Sequence, residues 1–299
     1  MNIIDIHTHG IKGYDTKTTD LNHILKIAEI QGSQGVTNIV LTIYSGTIKV
    51  MRENMLLVKK AMEIQNTESD RKSARIIGVH LEGPFLNPSK CGALNAMTFL
   101  EPSEYSFKEL IEGFEDIVKI ITIAPELNGA IDLIKIITNY GIIASMGHSD
   151  ATYKEAERGF NAGAKGITHI FNAMRGIHHR EPGIAGFGLL NKDIYIEVIA
   201  DPFHLHPEIL ALIFRIKDHE RIILISDTVK ETNIFLRGYK NKYEESRFAQ
   251  SFGVTDTHGK LLGGCMTIVE SSKRLIDEGY REEIVMKTIS ENPERYLSR

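Results

Sequence analysis

Six residues with imidazole or carboxylate side chains stand at the ends of short apolar runs. His7 and His9 follow the first run, Glu82 the third, His148 the fifth, His169 the sixth and Asp227 the eighth. Imidazole nitrogen and carboxylate oxygen are the donors that Zn²⁺ and Fe²⁺ accept. In an extended strand residues i and i+2 share a face, so His7-Thr8-His9 can present two imidazoles to one ion. Taken singly, a histidine at a strand end is more often a hydrogen-bonded structural residue, and a lone aspartate more often caps a helix or turn. Five separate run ends carrying only ligand-type residues are a far rarer pattern. His80, two positions before Glu82, reads as a histidine packed within the strand layer. His23, His219 and His258 lie in polar helical or loop contexts and read as solvated.

The elements that must position these residues follow from periodicity. Runs at 2–6, 36–43, 74–81, 117–123, 142–146, 166–169, 194–200 and 222–226 are rich in Ile and Val and bounded by polar or Gly positions, as buried strands are. Several are apolar on both faces, which suits strands covered on both sides. Helical patterns at 20–34, 129–140, 152–162 and 207–217 lie between them. Asp20 is a cap-type residue, Pro207 sits in a first helical turn, and Gly141 follows a helix end. Eight strands separated by helices or long loops predict a (β/α)8 barrel of the TIM type, whose C-terminal strand ends meet at one mouth. An open doubly wound sheet would usually show a glycine-rich phosphate turn after its first strand, and none is present. Between 227 and 261 the pattern weakens, with a polar, charged stretch at 237–248. Two further helical stretches follow at 267–278 and 281–291. No internal repeat or linker is evident, and residues 1–299 read as a single domain.

Composition agrees with such a domain. The chain has 299 residues, 42% hydrophobic and 25% charged, with a formal net charge of -4, enough apolar content for a buried core. Lys plus Arg number 35 against 39 Asp plus Glu, so sequence-independent binding to a nucleic-acid backbone is not expected. No apolar run reaches the roughly 18–20 residues that span a bilayer, and no basic segment precedes an apolar one at the start, so neither a membrane anchor nor a secretory signal is expected. Cys91 and Cys265 are too few for a disulfide framework or a cysteine-rich zinc site, and a cytoplasmic location is expected.

The blocks Asp5-Ile-His7-Thr-His9-Gly10, Gly78-Val-His-Leu-Glu82-Gly-Pro-Phe-Leu-Asn87, Gly147-His148-Ser149-Asp-Ala151-Thr-Tyr153, Thr168-His169-Ile-Phe-Asn172-Ala173-Met174 and Ile225-Ser226-Asp227-Thr228 occur in this order. Together they resemble the N-acetylglucosamine-6-phosphate deacetylase family of the amidohydrolase superfamily, over nearly the whole chain from Asp5 to Pro293. The resemblance implies hydrolysis of the N-acetyl group of an amino-sugar 6-phosphate by a barrel that holds one or two divalent metal ions, zinc or iron. It implies that Glu82, His148 and His169 are the principal metal ligands and that His7 and His9 hold a second ion. Asp227, beside the metal, would take a proton from the attacking water and pass it to the leaving amine. Ala93, Asn172, Ala173, Arg180 and His204 would bind the phosphorylated sugar, with Leu262, Gly263, Gly264 and Cys265 forming a loop that closes over it. A homodimer is implied too, part of the phosphate site coming from the neighbouring subunit. Related readings are an amidohydrolase acting on another amide or cyclic amide, and a catalytically weak sugar-phosphate binder, although a pure binder has no need of Asp227.

Elementary chemistry supports the implied reaction. Amide hydrolysis at neutral pH needs a stronger nucleophile than water, stabilisation of the developing oxyanion and a proton for the leaving amine. An arginine such as Arg180 offers a phosphate a planar, bidentate fork. Three departures from the family pattern stand out. The strands that usually flank the barrel as a small β-sandwich are not expected here, because Asp5 falls near the start and Pro293 near the end. Leu94 replaces a histidine that helps to polarise the scissile carbonyl, and leucine has no donor. Pro202 replaces a glycine after Asp201 and removes a backbone N–H. A second metal ion or His204 would then have to supply what Leu94 cannot.

Overall fold

The computed structural model describes residues 2–67, 72–233 and 253–298. The polar stretch 237–248 lies outside the described residues. Eight strands form one sheet: β1 (Ile4–Thr8), β2 (Asn38–Tyr44), β3 (Arg75–Glu82), β4 (Val118–Ile123), β5 (Ile143–Met146), β6 (Gly166–Ile167), β7 (Tyr195–Ile199) and β8 (Ile222–Ile225). They run in spatial order one to eight, and each ladder between neighbours is parallel. The last strand returns to the first at the mouth. There the Asp227 N–H donates to the His7 carbonyl at 2.9 Å, the His9 N–H donates to the Thr228 carbonyl at 2.8 Å, and Thr8 and Thr228 form a parallel bridge. The expected (β/α)8 barrel is the observed fold.

Helices α1 (Leu21–Ser33), α2 (Ile48–Thr67), α3 (Glu104–Ile111), α4 (Ala130–Asn139), α5 (Tyr153–Asn161), α6 (Gly183–Leu190) and α7 (Pro207–Ile216) follow the first seven strands in turn. Then come α8 (Ile268–Asp277), α9 (Glu282–Ile289) and α10 (Glu291–Leu297). Their starts are set chemically. Asp20 accepts the Asn22 N–H at the head of α1, and Thr152 and Thr267 form reciprocal capping boxes with Glu155 and Glu270. The stretch expected as one helix over 281–291 ends instead at Ser290, whose φ of -130° and ψ of -82° break it, and a separate turn of helix begins at Glu291.

Helix α6 has no amphipathic period, because seven of its eight residues are buried. Its glycines are spacing devices: a Cβ on Gly188 would lie 2.6 Å from Ile167 Cδ1, so glycine lets this helix press on β6. The buried ammonium of Lys217 donates to the Gly188 and Asn191 carbonyls at 2.8 and 2.5 Å, satisfying acceptors that the end of α6 leaves open.

Two apolar bodies hold the barrel. The larger lies between strands and helices and includes Ile27, Leu41, Met55, Leu81, Phe107 and Phe187. The smaller is drawn mainly from strand residues such as Ile6, Val40, Ile120, Ile199 and Ile225, with Tyr296 beside them. A buried polar chain crosses the barrel interior from β3 to β5: His80 donates to Thr122 of β4 (2.7 Å), Thr122 meets Thr168 just beyond β6 (2.9 Å), and Thr168 donates to Ser145 of β5 (2.7 Å).

Candidate metal centre

The six ligand-type residues meet at the mouth. Glu82, the last residue of β3, is their hub. Its Oε1 lies 3.1 Å from both His148 Nε2 and His169 Nε2 and 3.5 Å from His7 Nε2, while its Oε2 lies 3.3 Å from His9 Nε2. His148 Nε2 and His169 Nε2 are themselves 3.1 Å apart. Asp227 Oδ1 completes the other side, 3.4 Å from His7 Nε2 and 3.5 Å from His9 Nε2. Donors around a tetrahedral ion with 2.0–2.1 Å bonds stand about 3.3 Å from one another. Glu82, His148 and His169 are close to that spacing, each pair 3.1 Å apart, and the donor atoms of His7, His9 and Glu82 lie within 4.8 Å of one another.

The electrostatics suit a cation. Burial alone would strip the proton from His7, yet Asp227, Glu197 and Glu82 outweigh it and raise its pKa well above the usual imidazole value. Burial alone would likewise raise the carboxyl of Glu82, and the four surrounding histidines outweigh that and hold it well below the ordinary range. His7 Nε2 is buried without a hydrogen-bond partner. A positively charged guest at the centre would answer both the carboxylates and that nitrogen.

The strand ends make the convergence possible through uncommon backbone. His148, His169 and Asp227 have φ values of +46°, +32° and +49°, the left-handed region that residues with a Cβ rarely occupy. The sixth strand stops at Ile167, not at 169 as expected, and His169 belongs to the turn beyond it. His148 is steered from behind by the Lys90 carbonyl, 2.8 Å from its Nδ1.

The expected sugar-binding residues divide. Ala173 lies against the centre: a Cβ on Gly92 would sit 3.1 Å from Ala173 Cβ and 3.2 Å from His148 Cε1, so the turn carrying Gly92, Ala93 and Leu94 packs on the ligand face. Asn172 turns its amide back to the His169 and Ile170 carbonyls. Gly263 and Gly264 pack on the Asp227 turn, the Gly264 N–H donating to the Asp227 carbonyl at 2.7 Å, and a side chain on Gly264 would overlap the Ser226 carbonyl. Leu262 precedes them in a two-stranded hairpin (Val254–Thr255 with Leu261–Gly263). Cys265 donates its N–H to Asp201 at 3.0 Å. Arg180 is not drawn in, because it lies exposed in the turn between His178 and Glu181.

Three neighbours escaped the reading of the sequence. Asp201 accepts the N–H groups of Phe203 and His204 (2.9 Å each) and holds His204 Nδ1 at 3.0 Å. Burial lowers the pKa of His204, but Asp201 outweighs it and raises the value overall. This turn uses the N–H groups after Pro202, so proline fits where it stands. Tyr44 stacks on His9 with centroids 3.9 Å apart. Glu197 accepts from His7 Nδ1 at 3.1 Å. A lone acid in the apolar run 194–200 was the available signal for Glu197.

Comparison with known proteins accords with this geometry. No family model matches the sequence. N-acetylglucosamine-6-phosphate deacetylase of Vibrio furnissii is 30% identical over 273 residues, covering 91% of this chain and 67% of that protein. N-acetylgalactosamine-6-phosphate deacetylase of Escherichia coli O157:H7 is 31% identical over 274 residues, covering 92% of this chain and 71% of that one. The crystal structure of N-acetylglucosamine-6-phosphate deacetylase from Thermotoga maritima superposes with a TM-score of 0.83 at 28% identity, over 99% of this chain and 78% of that chain. The chain thus spans about two thirds of the length of these curated relatives. With the barrel, the cluster and identity of this extent in agreement, the chain belongs to the N-acetylglucosamine-6-phosphate deacetylase family.

Proposed function

We propose that the protein hydrolyses the N-acetyl group of an amino-sugar 6-phosphate, N-acetylglucosamine 6-phosphate in the first instance, releasing acetate and the free amine. The observation that carries this reading is the convergence of four imidazoles and Asp227 on the buried carboxylate of Glu82. Two cation positions share that carboxylate, one with His148 and His169 and one with His7 and His9. Zinc and iron both suit the donor set. A divalent cation held there supplies Lewis acidity toward the carbonyl and lowers the pKa of water.

The chain's own groups do the rest. Asp227 accepts the proton of the attacking water and delivers it to the leaving nitrogen. His204, whose pKa Asp201 raises, presents Nε2 to a substrate oxygen and in its protonated form stands in for the donor that Leu94 lacks. Ala93, Asn172 and Ala173, with the turn Leu262, Gly263, Gly264 and Cys265, line the sugar's side of the mouth. Arg180 serves the phosphate from the exposed 176–181 turn, where Ile177 is 52% exposed, and a second copy of the chain in a homodimer would complete that side.

The test is amine release from a panel of N-acetyl amino-sugar 6-phosphates and their unphosphorylated forms, with metal content measured on the same sample. Turnover dependent on both metal and phosphate is expected. Faster turnover of the galactosamine isomer would move the substrate toward that of the Escherichia coli relative. Turnover of unrelated cyclic amides alone would overturn the reading.

A further inference from the structure

The seventh strand carries one acid, Glu197, in the otherwise apolar sequence Tyr195-Ile-Glu-Val-Ile199, and its side chain is 1% exposed. Among the described residues no lysine or arginine pairs with it; its charged-group contact is His7, with Oε2 3.1 Å from Nδ1. Burying a carboxylate in a barrel is costly unless it is paired and hydrogen-bonded. His7 has two faces. Its Nδ1 meets Glu197 at hydrogen-bond distance, while its Nε2 faces Glu82 and Asp227 at 3.5 and 3.4 Å and has no hydrogen-bond partner. A histidine that ligates a cation is neutral, and a neutral imidazole has one N–H and one lone pair. The shorter contact assigns the N–H to Nδ1, which leaves the lone pair on Nε2 pointing at the shared centre. Carboxylate pairing of this kind fixes the tautomer and ring orientation of a ligating histidine and raises its basicity.

We propose that Glu197 is the positioning residue of the His7/His9 cation position: through the Nδ1–H bond it sets His7 to donate from Nε2 and supplies a negative charge behind the ligand. This rests on the two-position reading given above. The Glu82/His148/His169 position owes nothing to Glu197, because His148 is steered by the Lys90 carbonyl. Glu197 therefore discriminates between the two positions.

The rival arrangement is direct ligation, because His7, His80 and Glu197 also lie close enough to hold an ion between them. The geometry favours positioning. The Nδ1 of His7 is occupied by its bond to Glu197 at 3.1 Å, and its Nε2 faces the shared centre instead; His80 keeps a buried, unpartnered Nδ1, so it is the residue whose replacement separates the two arrangements.

The test is stepwise removal of zinc from the zinc-loaded protein by a competing chelator, comparing wild type with Glu197→Gln, Glu197→Leu and His80→Gln. Wild type is expected to release two equivalents in separate steps. Glu197→Leu should weaken only the more labile equivalent, by about 10- to 100-fold. Glu197→Gln keeps an acceptor without the charge, so it should weaken the same equivalent by less. Its near-identical shape keeps the test decisive even where the Leu variant fails to fold. His80→Gln should leave both equivalents in place. An unchanged second equivalent in both Glu197 variants, or equal weakening of both equivalents, overturns the proposal. Loss of an equivalent in His80→Gln as large as in Glu197→Leu would instead establish direct ligation. A wild type that releases one equivalent only would remove the second cation position itself and the proposal with it.

Discussion

The two halves of the centre are built by different means. His148 and His169 stand beyond the ends of β5 and β6 in left-handed backbone and are held by turns, with a main-chain carbonyl behind His148. His7 lies within β1 and His9 just after it, both without positive φ, and side chains from other strands hold them: Glu197 of β7 behind His7 and Tyr44 of β2 stacked on His9. Backbone in that region costs about 1–3 kcal/mol per residue, so the turn-built half is maintained by the structure around it. The strand-built half needs no unusual backbone but depends on particular side-chain types. The first half is therefore open to damage through loop conformation, and the second through single substitutions inside the barrel.

The largest effect should come from the residue common to both. Glu82→Ala is expected to abolish binding of every metal equivalent and turnover with it, and elemental analysis of the purified variant checks this. One retained equivalent would show that the halves do not share Glu82. Next comes Asp227→Asn, which keeps shape and removes the base: kcat should fall about 10²- to 10⁴-fold with metal still bound. Single-turnover amine release on metal-checked protein measures it, and near-normal turnover would move the proton shuttle elsewhere.

Acid should separate the halves. Protons compete with metal for His7, whose folded pKa is raised, so the His7/His9 position should empty first as pH falls. In the metal-free protein the sign reverses. Stability from protonated His7 is complete below the unfolded value near 6.5 and is lost as pH rises through the higher folded value. Thermal melts of chelated protein should accordingly weaken between neutral and alkaline pH. A flat profile would mean that His7 is not held charged.

The smallest effect probes the turns. Ala173, at φ +48°, should gain stability on replacement by Gly, by less than about 1 kcal/mol, because relief of strain exceeds the added freedom of the unfolded chain only slightly. Denaturant melts would register it, and a clear loss would show that the Ala173 methyl group is a packing element.

Much of this was legible because the signals were local. Ile- and Val-rich runs marked all eight strands, and ligand-type residues at their ends marked the site. What stayed hidden depended on tertiary context. Helix α6 is glycine-rich and buried all round, so it shows neither helical propensity nor an apolar face until β6 is seen beneath it. The sequence assigned Asp201 no role, and only the fold brings His204 and Cys265 to it. His and Asp enter the left-handed region more often than most residues with a Cβ, but still too rarely for residue type alone to mark the turns at His148, His169 and Asp227.

The barrel's seam passes through this same centre. Asp227 and His7 come from opposite ends of the cylinder's winding, and main-chain bonds join β8 to β1 only near the mouth among the bonds described. An ion gripped by His7 and His9 on one side and Asp227 on the other would act as a removable cross-link between segments some 220 positions apart. Closing a chain loop beyond about 100 residues is worth on the order of 4–5 kcal/mol when the link is covalent and unstrained, and a tightly held ion draws on the same reduction of freedom. The cofactor then serves as a clasp as well as a reagent: chelation should loosen the cylinder along one line, and backbone amides of β1 and β8 should exchange with solvent ahead of those in β3 and β4.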